Sequence, residues 1–317
     1  MDEFAFIAAL LAPLAAKEKG ALGLKDDAAL LKIPQGSVLA VTKDAVVEGV
    51  HFLGDEAPGL IARKALRVNL SDLAAMGATP RWYFLALMLP EKTDDAWLAA
   101  FAEGLRADQE EYGIVLAGGD TTRAGHALAV SATALGLVPE GEGLTRVGAK
   151  RGDAIYVTGT IGDAALGLKA AKAHAREEYL INRYRLPRPR VKMGEALRGL
   201  AHSCIDISDG LAQDLGHICA ASGTGAEIAW PQVPLSPPAR SMLAGDAVAY
   251  ETVLAGGDDY ELLFTAPASV EVEIMARAKA CGVAVTRIGR VTEKGKVRVI
   301  GASGEELPMR RAGFRHF

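Results

Sequence analysis

Apolar residues along the chain follow two periods, which predict both helices and strands. In residues 58–76 they recur every three or four positions, Asp72 falls on the same face, and Gly77 can end the helix. Further helices are predicted at residues 4–16, 94–112, 162–175, 191–201 and 270–281, and strands at 28–31, 38–44, 82–89, 114–117, 127–138, 152–160, 262–264, 283–288 and 297–300. This alternation predicts an α/β (α+β) protein, and it leaves open whether the sheets are antiparallel or mixed.

A glycine- and glutamate-rich segment at residues 139–143 is the best candidate for a domain boundary. The 317 residues are enough for two domains of ordinary size. We therefore expect an N-terminal domain over residues 1–138 and a C-terminal domain over residues 139–317.

The composition and net charge exclude some classes of protein. Half of the residues are hydrophobic, 23% are charged, and the formal net charge is −4. An acidic protein of this kind is not expected to bind nucleic acid through a general basic surface. It can still bind phosphates if metal ions supply the positive charge.

The cysteines and the first apolar stretch bear on location. Cys204, Cys219 and Cys281 form no Cys-x-x-Cys pair, which favours reduced thiols in a cytoplasmic protein. Residues 4–16 follow two acids and are too short to span a bilayer. They are interpreted as a buried first helix, with no contact to a membrane.

A glycine pair followed by an acid interrupts one of the apolar runs. Gly118 and Gly119 predict a sharp turn whose bare N–H groups can face an anion, and Asp120 would repel that anion unless a divalent cation lay between them. An ordinary turn is the alternative. The same device recurs at Gly256-Gly257-Asp258.

Other acids also stand at the ends of apolar runs. Asp206, Ser208 and Asp209 precede a helix that Ser208 or Asp209 could cap, and on that helix Asp214 is expected to be exposed. Six separated groups of this kind predict a pocket of carboxylates: Asp26/Asp27, Asp44, Asp72, Asp120, Asp206/Asp209 and Asp258/Asp259. Hard oxygen ligands select Mg²⁺ or Mn²⁺ over zinc, and several such ions suit phosphoryl transfer from ATP.

Two further stretches could bind phosphate. Residues 152–162 loosely resemble a strand–turn–helix phosphate cradle, and Arg183–Arg190 forms a basic segment that is either a phosphate site or a solvated connector. A P-loop, a full Gly-x-Gly-x-x-Gly, a serine elbow and a His-Glu-x-x-His motif are all absent from the sequence.

Taken together, these stretches resemble the thiamine-monophosphate kinases, a family of the aminoimidazole-ribonucleotide-synthetase-like superfamily. The resemblance runs nearly from end to end. It is carried by Asp26-Asp-Ala-Ala-Leu-Leu31, Glu48-Gly-Val-His-Phe52, Val68-Asn-Leu-Ser-Asp-Leu-Ala-Ala-Met-Gly-Ala78, Gly118-Gly-Asp-Thr-Thr122, Tyr156-Val-Thr-Gly-Thr160, Ile205-Asp-Ile-Ser-Asp-Gly210, Asp259-Tyr-Glu-Leu-Leu-Phe264 and Gly313-Phe-Arg-His-Phe317.

The resemblance implies a fold, an activity and an assembly. The N-terminal domain would contain a mixed sheet with helices and would join the partner's sheet in a homodimer, and the C-terminal domain would be α/β. The γ-phosphoryl group of ATP would pass directly to the phosphate of thiamine monophosphate, with several Mg²⁺ ions present and no dedicated base.

The resemblance also implies roles for individual residues. Mg²⁺ would be held by Asp27, Asp44, Asp72, Asp120, Asp206 and Asp209, with Thr42 and the Lys43 carbonyl contributing. ATP would contact Gly119, Asp120, Arg146 and Ser208. The thiamine side would be lined by His51, Asp258 and Phe314, with Phe314 stacking on the cationic ring system.

Three positions depart from the family pattern. Lys25 and Lys43 replace the usual glycine and threonine, and Asp258 replaces the usual glutamate, which shortens its reach by one methylene group. Lysine can replace threonine at position 43 if the residue acts through its carbonyl.

Several rival interpretations remain. An aminoimidazole-ribonucleotide synthetase is the alternative enzyme, disfavoured by the Gly-Phe-Arg-His-Phe ending. A selenophosphate synthetase would need a cysteine before Cys204, and a hydrogenase-maturation protein would need a cysteine in place of Phe317. A non-catalytic nucleotide-binding subunit is the alternative from another class, and Lys43 keeps it open.

Overall fold

The chain divides into two units, which are described separately. Unit 1 comprises Met1–Leu73 and Ala78–Gly141, and unit 2 comprises Ala74–Gly77 and Glu142–Phe317. The structure is a computed structural model that describes residues 2–125, 127–246 and 248–314. The last three residues of the predicted closing motif, 315–317, lie outside this part of the chain.

The first part of the chain supplies four strands and four helices. The strands are β1 (Ser37–Val47), β2 (Thr79–Leu89), β3 (Val115–Arg123) and β4 (Ala129–Pro139). The helices are α1 (Glu3–Phe6), α2 (Ala12–Ala15), α3 (Pro58–Ala75) and α4 (Asp95–Tyr112), with a π-helical turn at Ile7–Leu11 and a 3-10 segment at Lys19–Leu24.

The sheet of unit 1 is mixed. Its strand order is β1-β4-β2-β3, where β4 pairs antiparallel with β1 and β2, and β2 pairs parallel with β3. Helix α4 begins and ends at local capping residues. Asp94 accepts the Trp97 N–H at the start of α4, and Gly113 ends it in the left-handed region with φ 69°.

The glycine pair at 118–119 does not form the predicted turn. Both residues lie inside β3, beside a register shift at Tyr83 and Phe84 of β2. A Cβ on Gly118 would lie 2.8 Å from the Phe84 ring, and one on Gly119 would lie 2.1 Å from the Leu85 carbonyl oxygen. Glycine is required here because the two strands approach too closely for a side chain.

The second part of the chain forms a seven-stranded sheet in the order β11-β10-β7-β9-β5-β8-β6. The β10–β7 pair is parallel and the others are antiparallel. Its elements are β5 (Ala154–Thr158), α5 (Asp163–Lys172), α6 (Glu178–Arg185), α7 (Val191–Leu197), β6 (Ser203–Asp206), α8 (Leu211–Ser222), β7 (Gly225–Ala229), α9 (Pro237–Met242), α10 (Ala249–Ala255), β8 (Leu262–Ala266), α11 (Glu271–Ala280), β9 (Val285–Thr292), β10 (Val297–Ile300) and β11 (Glu306–Leu307).

Several local expectations are wrong. The first helix is interrupted by its π-helical turn and leaves Phe4 exposed, so it is only partly buried. Residues 28–31 form no strand. Asp214 is buried, not exposed, because its carboxylate faces backbone N–H groups.

Across the described ranges, no helix is both long enough and apolar enough to cross a membrane.

A buried ion pair joins α3 to α4 in unit 1. Arg67 donates to both oxygens of the fully buried Asp108, through Nε at 2.9 Å and Nη2 at 2.8 Å. Arg63 donates to the same carboxylate at 2.7 Å, and both arginines reach Glu111. These contacts hold the two long helices in register.

Replacing Asp108 with alanine is expected to destabilise the protein by about 3–5 kcal/mol, because it leaves the Arg67 guanidinium buried without its main counter-charge. Urea denaturation followed by circular dichroism measures this loss. Glu103→Ala is the matched control, since Glu103 forms an exposed pair with Arg106 and should cost less than about 0.5 kcal/mol. Equal midpoints for the two variants would contradict the prediction.

Candidate active site

One group of candidate metal ligands lies where β1 faces α3. Thr42 and Asp44 alternate along β1, and the Thr42 hydroxyl donates to Asp72 Oδ2 at 2.5 Å. The Asp44 N–H donates to Asn69 Oδ1 at 3.1 Å. The structure thus brings together three of the predicted ligands, and Asn69, one turn before Asp72, fixes the main chain of Asp44.

Asp44 is held in an environment that suits a cation. Burial raises the pKa of Asp44 above its usual range, and the nearby His51 opposes that shift. His51 Nδ1 accepts the Val47 N–H at 3.1 Å, so a neutral His51 carries its proton on Nε2. Lys43 is exposed between Thr42 and Asp44, and only its main chain lies with the group.

A second group lines a cleft of about 320 Å³ in unit 1. One wall is the segment after the 3-10 turn, which carries Asp26 and Asp27, and the other is the stretch of β3 with Gly119 and Asp120. All three acids are exposed. Bare glycine main chain between exposed carboxylates is the donor set that a metal-bound phosphate chain requires.

The two groups stand on different strands at the same level of the sheet. Asp44 is opposite Ala132, Ala132 is opposite Leu85, and Leu85 is opposite Gly119. Three strand spacings separate β1 from β3, which is about 14 Å along the sheet. Within unit 1 the predicted ligands therefore form two sites and not a single cluster.

A third group lies in unit 2, at the end of β6. Asp206 is buried, Ser208 is exposed, and Asp209 is half-buried. Asp214 Oδ2 accepts the N–H groups of residues 208, 209 and 210 at 3.1, 3.2 and 3.1 Å. The predicted cap by Ser208 or Asp209 is not formed, since the N-cap of α8 is Gly210 and has no side-chain hydrogen bond.

The loop at residues 256–260 packs on this segment. The Asp258 N–H donates to the Ser208 carbonyl at 2.7 Å. Gly257, Asp258 and Tyr260 all have positive φ, and a Cβ on Gly257 would lie 2.4 Å from the same carbonyl oxygen. Here the second Gly-Gly-Asp stretch does turn the chain, and it places Asp258 beside Ser208.

Phe314 is also attached to this segment. Its N–H donates to the Asp209 carbonyl at 2.9 Å, and its carbonyl accepts from Gln213 Nε2 at 3.1 Å.

Arg146 lies elsewhere in unit 2, where its carbonyl accepts from Ser222 at the C-terminal end of α8. Its side chain is exposed.

Two of the four arginines in the basic segment at 183–190 belong neither to a phosphate site nor to a solvated connector. Arg183 lies in α6 and donates to the fully buried Glu261 at 2.9 Å, and Arg190 donates to both Glu261 oxygens at 2.6 and 2.5 Å. Glu261 follows the Asp258 loop directly. Arg183 and Arg190 therefore fix that loop, and their guanidinium groups are already paired with Glu261.

The loosely predicted phosphate cradle before α5 is filled by the protein itself. Both oxygens of the buried Asp259 accept the Gly162 N–H, at 3.0 and 2.8 Å. The Ala164 N–H also points at Asp259, at 3.4 Å. Burial raises the pKa of Asp259 to about 8. Its carboxyl group thus occupies the position that an external anion would take at this helix N-terminus.

Sequence reasoning did not assign roles to three supporting residues. Asn69 could have been found from its spacing of three to Asp72 on a helix. Asp214 accepts from main-chain N–H groups, and Glu261 pairs with arginines that are distant in the sequence. No local sequence pattern indicates either role.

Comparisons with known proteins decide the family. A family model described as AIR synthase related protein, N-terminal domain, matches residues 25–138, and the corresponding C-terminal model matches residues 150–302. The thiamine-monophosphate kinase of Escherichia coli (strain K12) is 45% identical over 302 residues, which cover 93% of this chain and 92% of the relative. This chain belongs to the thiamine-monophosphate kinase family.

Solved structures of the thiamine-monophosphate kinase family agree with the fold. The crystal structure of the enzyme from Stenotrophomonas maltophilia K279a is 41% identical, with a TM-score of 0.86 over 97% of this chain and 98% of that one. AaThiL complexed with AMPPCP and TMP is 31% identical, with a TM-score of 0.79 over 99% and 97%. The predicted two-domain α/β fold of this family is confirmed.

Asp214→Ala is expected to loosen the segment that carries Ser208 and Asp209, since it leaves three backbone N–H groups without their acceptor. The loss should be about 1–3 kcal/mol of unfolding free energy, with faster amide hydrogen exchange at residues 208–210. Asp214→Asn is the matched control, because it keeps one acceptor oxygen and should exchange more slowly than the alanine variant. Identical amide hydrogen exchange rates in both variants would contradict the role assigned to Asp214.

Proposed function

We propose that this protein transfers the γ-phosphoryl group of ATP to the phosphate of thiamine monophosphate, giving thiamine diphosphate and ADP. The observation that carries the proposal is the unit 1 cleft, in which Asp120 and the bare main chain of β3 lie on one wall and Asp27 lies on the other. Membership in the thiamine-monophosphate kinase family and the relative solved with AMPPCP and TMP support the same substrates. An acceptor oxygen of the substrate phosphate forms the new P–O bond as the bond to ADP breaks.

Mg²⁺ belongs to the proposal because the available donors fit it. They are hard carboxylate and hydroxyl oxygens, and burial disfavours the charged form of Asp44 unless a cation compensates it. Asp27, Asp44, Asp72, Asp120, Asp206 and Asp209 would hold the ions, with Thr42 and the Lys43 carbonyl. Bound Mg²⁺ would neutralise charge that develops on the phosphoryl oxygens.

The chain's own residues would position both substrates. Gly119, Asp120, Arg146 and Ser208 would contact ATP, and the glycine provides N–H groups without side-chain hindrance. His51, Asp258 and Phe314 would line the thiamine side, where the exposed Phe314 ring can stack on a cationic heterocycle. A dedicated base is unnecessary, because the acceptor phosphate is already an anion.

The first test is to incubate the protein with ATP, Mg²⁺ and thiamine monophosphate and to measure thiamine diphosphate and ADP by chromatography. Equal amounts of both products are expected, and Asp120→Asn should lower kcat/KM at least about a hundredfold by weakening metal-bound ATP. Asp95→Asn, an exposed acid of α4, is the control and should leave the rate unchanged. ATP binding with neither product would support the non-catalytic subunit instead.

We also propose that the protein is a homodimer joined through unit 1. Strand β1 is an edge strand, since β4 pairs with one side and no strand among the described residues pairs with the other. It exposes Val38 and Val41, and Leu30 and Ile33 are exposed in the preceding segment. A long apolar edge of this kind favours pairing with a second copy.

Val41→Asp is expected to shift the protein from dimer to monomer, because it places a charge on the apolar edge strand, where Val41 is 58% exposed. Multi-angle light scattering at micromolar concentration measures the mass. Val272→Asp is the matched control in α11 of unit 2, where Val272 is 84% exposed, and it should leave the mass unchanged. A dimer that persists in Val41→Asp would contradict this interface.

A cytoplasmic location is the last part of the proposal. All three cysteines are free thiols. Thiols that stay reduced are typical of a reducing compartment.

A further inference from the structure

The segment that carries Asp26 and Asp27 is a closed loop, here called the acid loop (residues 20–30). Its ends are joined by a hydrogen bond from the Leu30 N–H to the Gly20 carbonyl at 2.8 Å. The joint is tight, because a Cβ on Gly20 would lie 2.1 Å from the Leu30 carbonyl oxygen. The acid loop forms one wall of the unit 1 cleft.

The side chain of Trp82 supports the first residues of the acid loop. Trp82 of β2 donates its Nε1–H to Glu18 Oε2 at 2.7 Å, and Glu18 Oε1 accepts the Gly20 N–H, also at 2.7 Å. Both hydrogen bonds lower the pKa of Glu18, the Trp82 bond most strongly. Glu18 therefore binds as a carboxylate, and it ties the first residue of the loop to the sheet.

The same indole supports the exit from the acid loop. Trp82 is buried with Ala117 and Leu135, and Ala29 and Leu31 pack against this cluster. The start of the loop is thus tied to Trp82 through Glu18, and its end packs on the apolar cluster that contains Trp82. The acids lie between these two attachments to the sheet.

The backbone of the acid loop is strained just before the acids. Leu22, Gly23 and Leu24 follow one another with φ of 53°, 65° and 57°. A non-glycine residue in this region is strained and persists only where surrounding contacts enforce it. The Glu18–Trp82 hydrogen bond and the packing of Ala29 and Leu31 are such contacts.

We propose that Glu18 and Trp82 are positioning residues for the nucleotide: they hold Asp27 across the cleft from Asp120, so that both acids face one metal-bound phosphate chain. Neither residue lines the cleft. The inference rests on the proposed function, and it extends that function to two residues outside the predicted site.

The test uses Trp82→Phe, which keeps most of the apolar packing and removes the N–H donor, and Glu18→Gln, which keeps one acceptor oxygen. Both variants should raise the KM for ATP about tenfold, the effect of one charge-assisted hydrogen bond. The kcat and the KM for thiamine monophosphate should stay within about twofold. Trp97→Phe is the matched control, because Trp97 stacks on Phe101 in α4.

A second readout needs no turnover. Lys25 lies in the acid loop and is exposed, so trypsin cleavage after Lys25 reports on loop opening in the protein without nucleotide. Cleavage should be about tenfold faster in Trp82→Phe and Glu18→Gln than in Trp97→Phe or the unmodified protein.

The outcomes separate the two proposals. Wild-type cleavage rates in both variants would overturn the anchoring role, and so would faster cleavage with an unchanged KM for ATP. If the unmodified protein forms no thiamine diphosphate, the proposed function fails. The trypsin rates then still decide whether Glu18 and Trp82 hold the loop, and equilibrium binding of an ATP analogue replaces KM.

Discussion

The close parallel approach of β2 and β3 is the constraint on which the unit 1 cleft depends. Only glycine fits at 118 and 119, because the Phe84 ring and the Leu85 carbonyl occupy the space of a side chain. The strand therefore reaches Asp120 with its main chain bare. The acid loop can then lie opposite this stretch across the cleft.

The acids of the protein fall into two classes by the way they are compensated. Asp108, Asp214 and Glu261 are buried and already have partners in the fold, which are arginines for Asp108 and Glu261 and backbone N–H groups for Asp214. Asp27 and Asp120 are exposed and face a cleft. Acids of the first class shape the segments that present the candidate ligands, whereas those of the second class remain available to a cation.

Local sequence patterns were sufficient to predict the long helices. They were not sufficient to identify which residues contact each other across the fold. Helices α3 and α4 follow from apolar periodicity, the Asp94 cap and terminal glycines, all of which are encoded within a few residues. The glycine pair was misread because a turn and a close strand contact require the same residue. Arg183 and Arg190 were misread because Glu261 is more than seventy residues away. The family resemblance recovered the candidate ligands, but not the contacts that hold them.

The carboxylate of Asp259 at the start of α5 has a consequence for selectivity among anions. Many nucleotide-binding proteins attract phosphate with a helix N-terminus, and such a site accepts inorganic phosphate without any metal. In this protein that position is already filled from within. Under the proposed function, phosphate groups are instead recruited next to Asp27 and Asp120, which repel them unless cations are present. Free magnesium, and not nucleotide concentration alone, would then determine how much of the protein is loaded inside a cell.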